Sequence, residues 1–148
     1  MVDVKKFIIA LVLLLAPAFA EYNISAALSA GYGAGAFGAL EASWDCQLFQ
    51  PGKGALRPTL DLGYGVAGFS AAFTMRHLFE VAPALQVGGG VGLRYQMGVQ
   101  AYLRGDVEYS LLQASGLPLF VGADVGYAYG FGAAPKTVVA QLKLGYNF

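Results

Sequence analysis

The stretch Thr137-Val138-Val139-Ala140-Gln141-Leu142-Lys143-Leu144-Gly145-Tyr146-Asn147-Phe148 alternates with a period of two. Val138, Ala140, Leu142, Leu144, Tyr146 and Phe148 fall on one face. Thr137, Gln141, Lys143, Gly145 and Asn147 fall on the other, with Val139 the one exception. Successive side chains of a strand point to opposite sides, so this segment predicts a β-strand with one apolar and one polar face.

Seven earlier segments obey the same rule, which makes eight strands in all. The first runs from Tyr22 to Tyr32 and shows Tyr22, Ile24, Ala26, Leu28, Ala30 and Tyr32. The second shows Leu40, Ala42, Trp44, Cys46 and Leu48, and the third Leu56, Pro58, Leu60, Leu62, Tyr64 and Val66. Phe69, Ala71, Phe73, Met75 and Phe79 mark the fourth, and Leu85, Val87, Val91, Leu93 and Tyr95 the fifth. The sixth carries Val99, Ala101, Leu103, Val107, Tyr109 and Leu111. The seventh carries Leu117, Leu119, Val121, Ala123, Val125, Tyr127 and Tyr129. Turn signals fall between them: Gly33-Ala34-Gly35, Gln50 to Gly54, Ala67-Gly68, Ala82 to Ala84, Gln96 to Gly98, Ser115-Gly116 and Gly132 to Pro135.

The charges show what the alternation means. Only 12% of the 148 residues are charged, while 14% are aromatic and 21 are glycine. An ordinary soluble domain carries roughly 25% charged residues. Glu41, Asp45, Arg57, Asp61, Arg76, Glu80, Arg94, Arg104, Asp106, Glu108, Asp124 and Lys143 all fall on the parity opposite the apolar set. A wholly apolar face on every strand, with the charges confined to the other, points to lipid outside and a polar interior. The large aromatics support this, because Tyr22, Tyr32, Trp44, Tyr64, Phe79, Tyr95, Tyr109, Tyr127 and Tyr146 gather near strand ends. On strands running alternately up and down they form two rings, the aromatic girdles of a lipid-facing barrel. In hydrocarbon an open sheet edge would leave unpaired N–H and C=O groups at several kcal/mol each, so the first and last strands must pair. The fold expected is therefore all-β, an eight-stranded antiparallel up-and-down transmembrane barrel.

Residues 1–20 read as a cleavable signal peptide ahead of a barrel over 21–148. Lys5 and Lys6 begin it, Phe7 to Ala16 are apolar, Pro17 interrupts, and Ala18-Phe19-Ala20 suits a signal peptidase. The apolar run is shorter than the about 20 residues a spanning helix needs. One cysteine, Cys46, allows no internal disulfide. A net charge of +0, with no basic cluster, gives no reason to expect nucleic acid.

In this pattern the chain resembles the small outer-membrane barrels of the OmpA and OmpX type. The resemblance covers everything after residue 20. Its most specific part is Leu142 to Phe148, similar to the terminal strand that the barrel-assembly machinery recognises, with Tyr146 and Phe148 as the assembly signal. It implies a bacterial outer-membrane location, with membrane lipid and, during biogenesis, that machinery as partners, and a monomer. Surface loops in those families are usually long, whereas the turns expected here at the outer rim are short.

Catalytic chemistry finds little to stand on. His77, the single histidine, shares the parity of Phe73, Met75 and Phe79, with no Ser or carboxylate on that face nearby. One His and one Cys on distant strands make no zinc site, and no cofactor is expected. Gly88-Gly89-Gly90-Val91-Gly92 lacks the strand–loop–helix setting and the Lys of a phosphate-binding loop. Gly31, Gly63, Gly65, Gly88, Gly90, Gly92, Gly122, Gly126 and Gly145 instead share the inward parity, giving room to arginines and to Phe37, Tyr102 and Phe120. The inward charges are the candidate site: Arg57, Arg76, Arg94, Arg104 and Lys143 among Glu41, Asp45, Asp61, Glu80, Asp106, Glu108 and Asp124. Charges in a narrow interior must be paired, so they predict a salt-bridge network that fills the lumen of a structural, non-enzymatic protein. Two other readings stay open, a soluble lipocalin-like barrel for a small apolar ligand and a narrow channel.

Overall fold

The computed structural model describes residues 24–45 and 54–148. Its strands are β1 (Ile24–Tyr32), β2 (Ala36–Trp44), β3 (Gly54–Gly65), β4 (Gly68–Ala82), β5 (Leu85–Tyr95), β6 (Val99–Ser110), β7 (Leu119–Gly130) and β8 (Thr137–Asn147). Each pairs antiparallel with the next, and β1 pairs with β8, so the sheet closes on itself. The seam runs from Ser25 opposite Asn147 to Tyr32 opposite Ala140. Every strand therefore has two neighbours.

One rim holds the turns between β1 and β2, β3 and β4, β5 and β6, and β7 and β8; we call it the turn rim. The other holds the two strand ends Ile24 and Asn147 and is called the terminal rim. The expected strands are present with shifted ends. Because Gly33-Ala34-Gly35 turns the chain tightly, β2 begins at Ala36, before the first apolar residue that marked it. β4 continues past Phe79 to Ala82, with a bulge between Glu80 and Ala82 against β5. Leu111 and Leu117 lie outside the strands, since a one-turn helix α1 (Leu112–Ser115) joins β6 to β7. It ends where Gly116 enters the left-handed region at φ 71 and returns its N–H to the Leu112 carbonyl. Tyr22 and Cys46 lie outside the described residues.

Alternation is visible in the burial of every strand. In β8 Thr137, Val139, Gln141, Lys143 and Gly145 are buried, and Val138, Ala140, Leu142, Leu144 and Tyr146 are exposed. Leu28, Leu40, Leu62, Val91, Leu103, Val125, Leu142 and Leu144 all face outward and exposed on the wall. A protein dissolved in water rarely exposes so continuous an apolar surface. Tyr32, Tyr64 and Tyr95 stand outward at the turn rim, and Phe79, Tyr109 and Tyr146 outward toward the terminal rim, all exposed, with Trp44 part-buried there. Tyr127 sits one outward position further from the turn rim than Tyr129, opposite Leu103. Val139, which breaks the sequence alternation, turns inward and packs with Ala72, Tyr102 and Ala128. Leu78 also points inward and is 1% exposed.

Glycines make space for the bulky inward side chains. A Cβ on Gly126 would stand 2.4 Å from the Tyr102 ring, and one on Gly145 would stand 2.2 Å from Phe120. The Phe37 ring leans over Gly31 in the same way, a Cβ on Gly65 would meet the Phe37 backbone and Cβ, and the stem of Arg76 crosses Gly90.

Two measurements follow. Leu103→Arg, at an exposed mid-strand position, should lower unfolding stability in lipid vesicles by about 2–4 kcal/mol if the outer face contacts hydrocarbon. An unchanged urea midpoint would contradict a lipid-facing wall. Gly126→Ala should cost about 1–3 kcal/mol through overpacking against Tyr102. Combining it with Tyr102→Leu should recover part of that loss, and no recovery would mean the ring is not what the methyl meets.

Candidate functional site: a charged lumen

The inward parity of six strands brings the charges together. Arg104 on β6 is fully enclosed and is shared by four carboxyl groups from four strands. Its Nε donates to Asp106 Oδ1 at 2.8 Å, Nη1 to Asp61 Oδ2 at 2.8 Å, and Nη2 to Glu41 Oε2 at 2.8 Å and Asp124 Oδ2 at 2.5 Å. Arg76 on β4 extends the arrangement toward the terminal rim. Its Nε donates to Asp106 Oδ2 at 2.9 Å, Nη1 to Glu41 Oε1 at 3.1 Å, and Nη2 to Glu108 Oε1 at 2.6 Å. Lys143 Nζ lies 2.8 Å from Glu108, 3.2 Å from Asp124 and 3.3 Å from Glu41. Arg57 joins Glu108 at 2.6 Å to Asp45 at 2.6 Å. Through Gln141, which donates to Asp124 at 2.7 Å and accepts from Ser29 at 3.3 Å, the network reaches β1.

The register explains why these contacts cross the lumen. Glu41 pairs with Asp61 across β2 and β3, Arg57 with Arg76 across β3 and β4, and Asp106 with Asp124 across β6 and β7. Like charges directly opposite one another repel. Each pair needs a shared counter-charge, and the multiple contacts of Arg76, Arg104 and Lys143 supply it. Arg104 serves Asp106 and Asp124 from their own strand pair and reaches Glu41 and Asp61 across the lumen. β5 supplies the space, with Gly88, Gly90 and Gly92 on its inward face.

Two expected members stand apart. Glu80 has inward parity, but it lies at the bulge of β4 near the terminal rim, where its side chain is exposed and forms no ion pair among the described residues. Arg94 is buried but sits closer to the turn rim, and donates from Nη1 to Gln100 Oε1 at 2.9 Å instead of to a carboxylate. Gln100 in turn donates to the Pro135 carbonyl at 2.8 Å. Asp106, Glu108, Asp124, Glu41, Asp61, Arg57, Arg76, Arg104 and Lys143 are brought together. What parity could not supply is depth along the barrel axis.

The lumen is thus layered. At the terminal rim a cavity of about 510 Å³ opens, lined by Asp45, Arg57, Glu80, Gln86, Glu108 and Phe120 among others. The ion pairs fill the middle, and Phe37, Ala72, Tyr102, Ala128 and Val139 pack above them toward the turn rim. His77 has outward parity, part-buried, with its ring centroid 4.1 Å from that of Phe79 and no hydrogen bond to Nε2. Among the described residues no group of three or more His, Cys, Asp or Glu has metal-binding geometry.

No family model matches the chain. No curated protein matches it either. Solved structures do. The N-terminal β-barrel domain of Pseudomonas aeruginosa OprF aligns with a TM-score of 0.57 at 15% identity, over 85% of this chain and 97% of that one. The fold is that of the small eight-stranded transmembrane barrels. The outer membrane enzyme PagL aligns at 0.58 with 19% identity, over 84% of this chain and 98% of its own. The de novo designed barrel TMB2.3 reaches 0.62 at 12% identity, over 85% and 94%. A natural enzyme and a designed scaffold share this architecture, so the transmembrane barrel carries no single activity with it.

Removing one central cation should be costly, because it leaves buried carboxylates without counter-charge. Arg104→Met should lower stability by about 3–5 kcal/mol in vesicle-based urea unfolding. Arg94→Met, whose one direct side-chain hydrogen bond is to the Gln100 amide, should cost about 1–3 kcal/mol. Equal losses for the two would show that Arg104 is not the centre of the network.

Proposed function

We propose that this is a structural, non-enzymatic protein of the bacterial outer membrane whose lumen is closed by its own ion pairs. The observation that carries the reading is Arg104 bound by Glu41, Asp61, Asp106 and Asp124 at the middle of the barrel. A selective pore is more often lined by charges of one dominant sign, whereas these cations and anions are interleaved. An apolar exterior around a charged interior is also the reverse of a soluble barrel that encloses an apolar ligand. An eight-stranded barrel has an interior about wide enough for its side chains alone.

Absence of catalytic intent is supported by the state of His77. Nucleophilic catalysis needs a base within hydrogen-bond reach of the group that it activates, whereas His77 stacks against the Phe79 ring and its Nε2 has no hydrogen-bond partner. The membrane assignment rests on the outward leucines, valines and aromatics, together with the outer-membrane proteins that share the fold. The leader expected over residues 1–20 and the assembly signal at Tyr146 and Phe148 fit the same destination. Phe148 donates its N–H to the Ile24 carbonyl at 2.7 Å, and its ring lies 5.0 Å from that of Tyr146.

Purified protein in planar bilayers should give no stepwise conductance, and stable unitary steps would overturn the closed-lumen reading in favour of a channel. Fractionation provides the second check. The protein should stay with the membrane pellet until detergent is added, and recovery in the detergent-free soluble fraction would overturn the membrane assignment.

A further inference from the structure

Among the described residues Asp61 and Asp124 each bury one carboxyl oxygen with no hydrogen-bond partner, but Asp124 Oδ1 lies 3.2 Å from Lys143 Nζ whereas Asp61 Oδ1 has no cation beside it. Asp61 Oδ2 accepts from Arg104 Nη1 at 2.8 Å, while its Oδ1 is buried with no hydrogen-bond partner. A buried oxygen of this kind is costly unless something donates to it. The structure offers a place for the donor. A small cavity of about 20 Å³ lies beside Asp61, lined by Ser70, Arg94, Tyr102, Gln141 and the methyl groups of Ala39, Ala72 and Val139 among others. Holding one water takes roughly 10–15 Å³ of such space and two to four polar partners.

Arg94 lines the same cavity. Its guanidinium has five N–H donors and no acceptor, and Nη1 is committed to Gln100. It lines the same space as Asp61 but forms no ion pair with it among the described residues. A group between the two must donate to an oxygen and accept from an N–H. Water does both, an apolar ligand does neither, and a metal cation would be repelled by Arg94 and Arg104.

We propose that a single long-lived water occupies this cavity, donating to Asp61 Oδ1 and accepting from Arg94. It would couple Arg94 to the network through one molecule of solvent, where the sequence pattern predicts a direct contact. The cavity lies between the ion pairs and the Phe37, Ala72, Tyr102 and Val139 cluster, so the water would also satisfy the last charged layer before the apolar one.

The inference rests on the closed-lumen reading, and one experiment distinguishes their failures. Protein labelled at the methyls of Ala, Leu and Val, folded in detergent micelles, is examined by water-selected nuclear Overhauser spectroscopy. Cross-peaks to a slowly exchanging water are expected at Ala39, Ala72 and Val139, and none at Ala27 or Leu78, which are buried but do not line the cavity. Silence at all five residues would overturn the water site and leave the closed lumen standing. Cross-peaks at all five would mean a generally hydrated interior and would overturn both. A high-resolution crystal structure offers an independent reading: density within hydrogen-bond distance of both Asp61 Oδ1 and Arg94 supports the site. A direct Arg94–Asp61 contact that closes the cavity overturns it.

Discussion

Arg104 receives carboxyl groups from β2, β3, β6 and β7, and little else in the barrel could be arranged as it is without that convergence. Moving charges from water into a confined interior costs several kcal/mol per ion, and mutual attraction offsets this only when the geometry is good and the remaining lone pairs are used. The three like-charged pairs across neighbouring strands sharpen the demand. Asp106 and Asp124 share Arg104 from their own strand pair, whereas Arg57 and Arg76 meet Glu108 from β6, and Glu41 and Asp61 meet Arg104 from across the lumen. Pairing every interior charge is thus one requirement, met partly within strand pairs and partly across the closed barrel.

That requirement sets the distribution of small residues. A bulky side chain turned into a narrow lumen needs a neighbouring strand with no side chain of its own beside its stem. β5 answers with Gly88, Gly90 and Gly92, where added Cβ atoms would strike the backbone of β4 or the stem of Arg76. The aromatic residues inside follow the same logic, with Tyr102 set over Gly126 and Phe120 over Gly145. The glycine run that superficially suggests a phosphate loop is the close-packed partner of β4, with Gly90 beside the stem of Arg76 and Gly88 and Gly92 against its backbone.

Much of this was legible in the sequence because a strand has only two faces. Parity placed Arg76, Arg104, Asp106, Glu108, Asp124 and Lys143 inside and Leu103 and Leu142 outside without knowledge of any neighbour. Parity says nothing of height along the axis. Glu80 and Arg94 share the inward face with the rest, yet one lies by the β4 bulge and the other in the layer near Gln100. Register was equally hidden, so the opposition of Asp106 to Asp124 could not be foreseen from a list of charges. Helix α1 was missed for a local reason. Leu111 and Leu117 mimic continued alternation, while Gly116 and Pro118 stop the strand from pairing.

The seam has a consequence in time. Seven of the eight ladders join strands that are consecutive in the chain, most of them across a few residues of turn. Such local hairpins form quickly, since loop-closure entropy grows with the length of chain enclosed. The pairing of Ala26 with Tyr146 and of Leu28 with Leu144 must instead wait for nearly the whole polypeptide to be gathered. Until it forms, two rows of amides and carbonyls stand open at the edges, and Glu41 is still apart from Lys143. The slowest step of assembly and the one that shields the edges are then the same event, which makes the interval before β1 meets β8 the period of greatest vulnerability to misassociation with another chain.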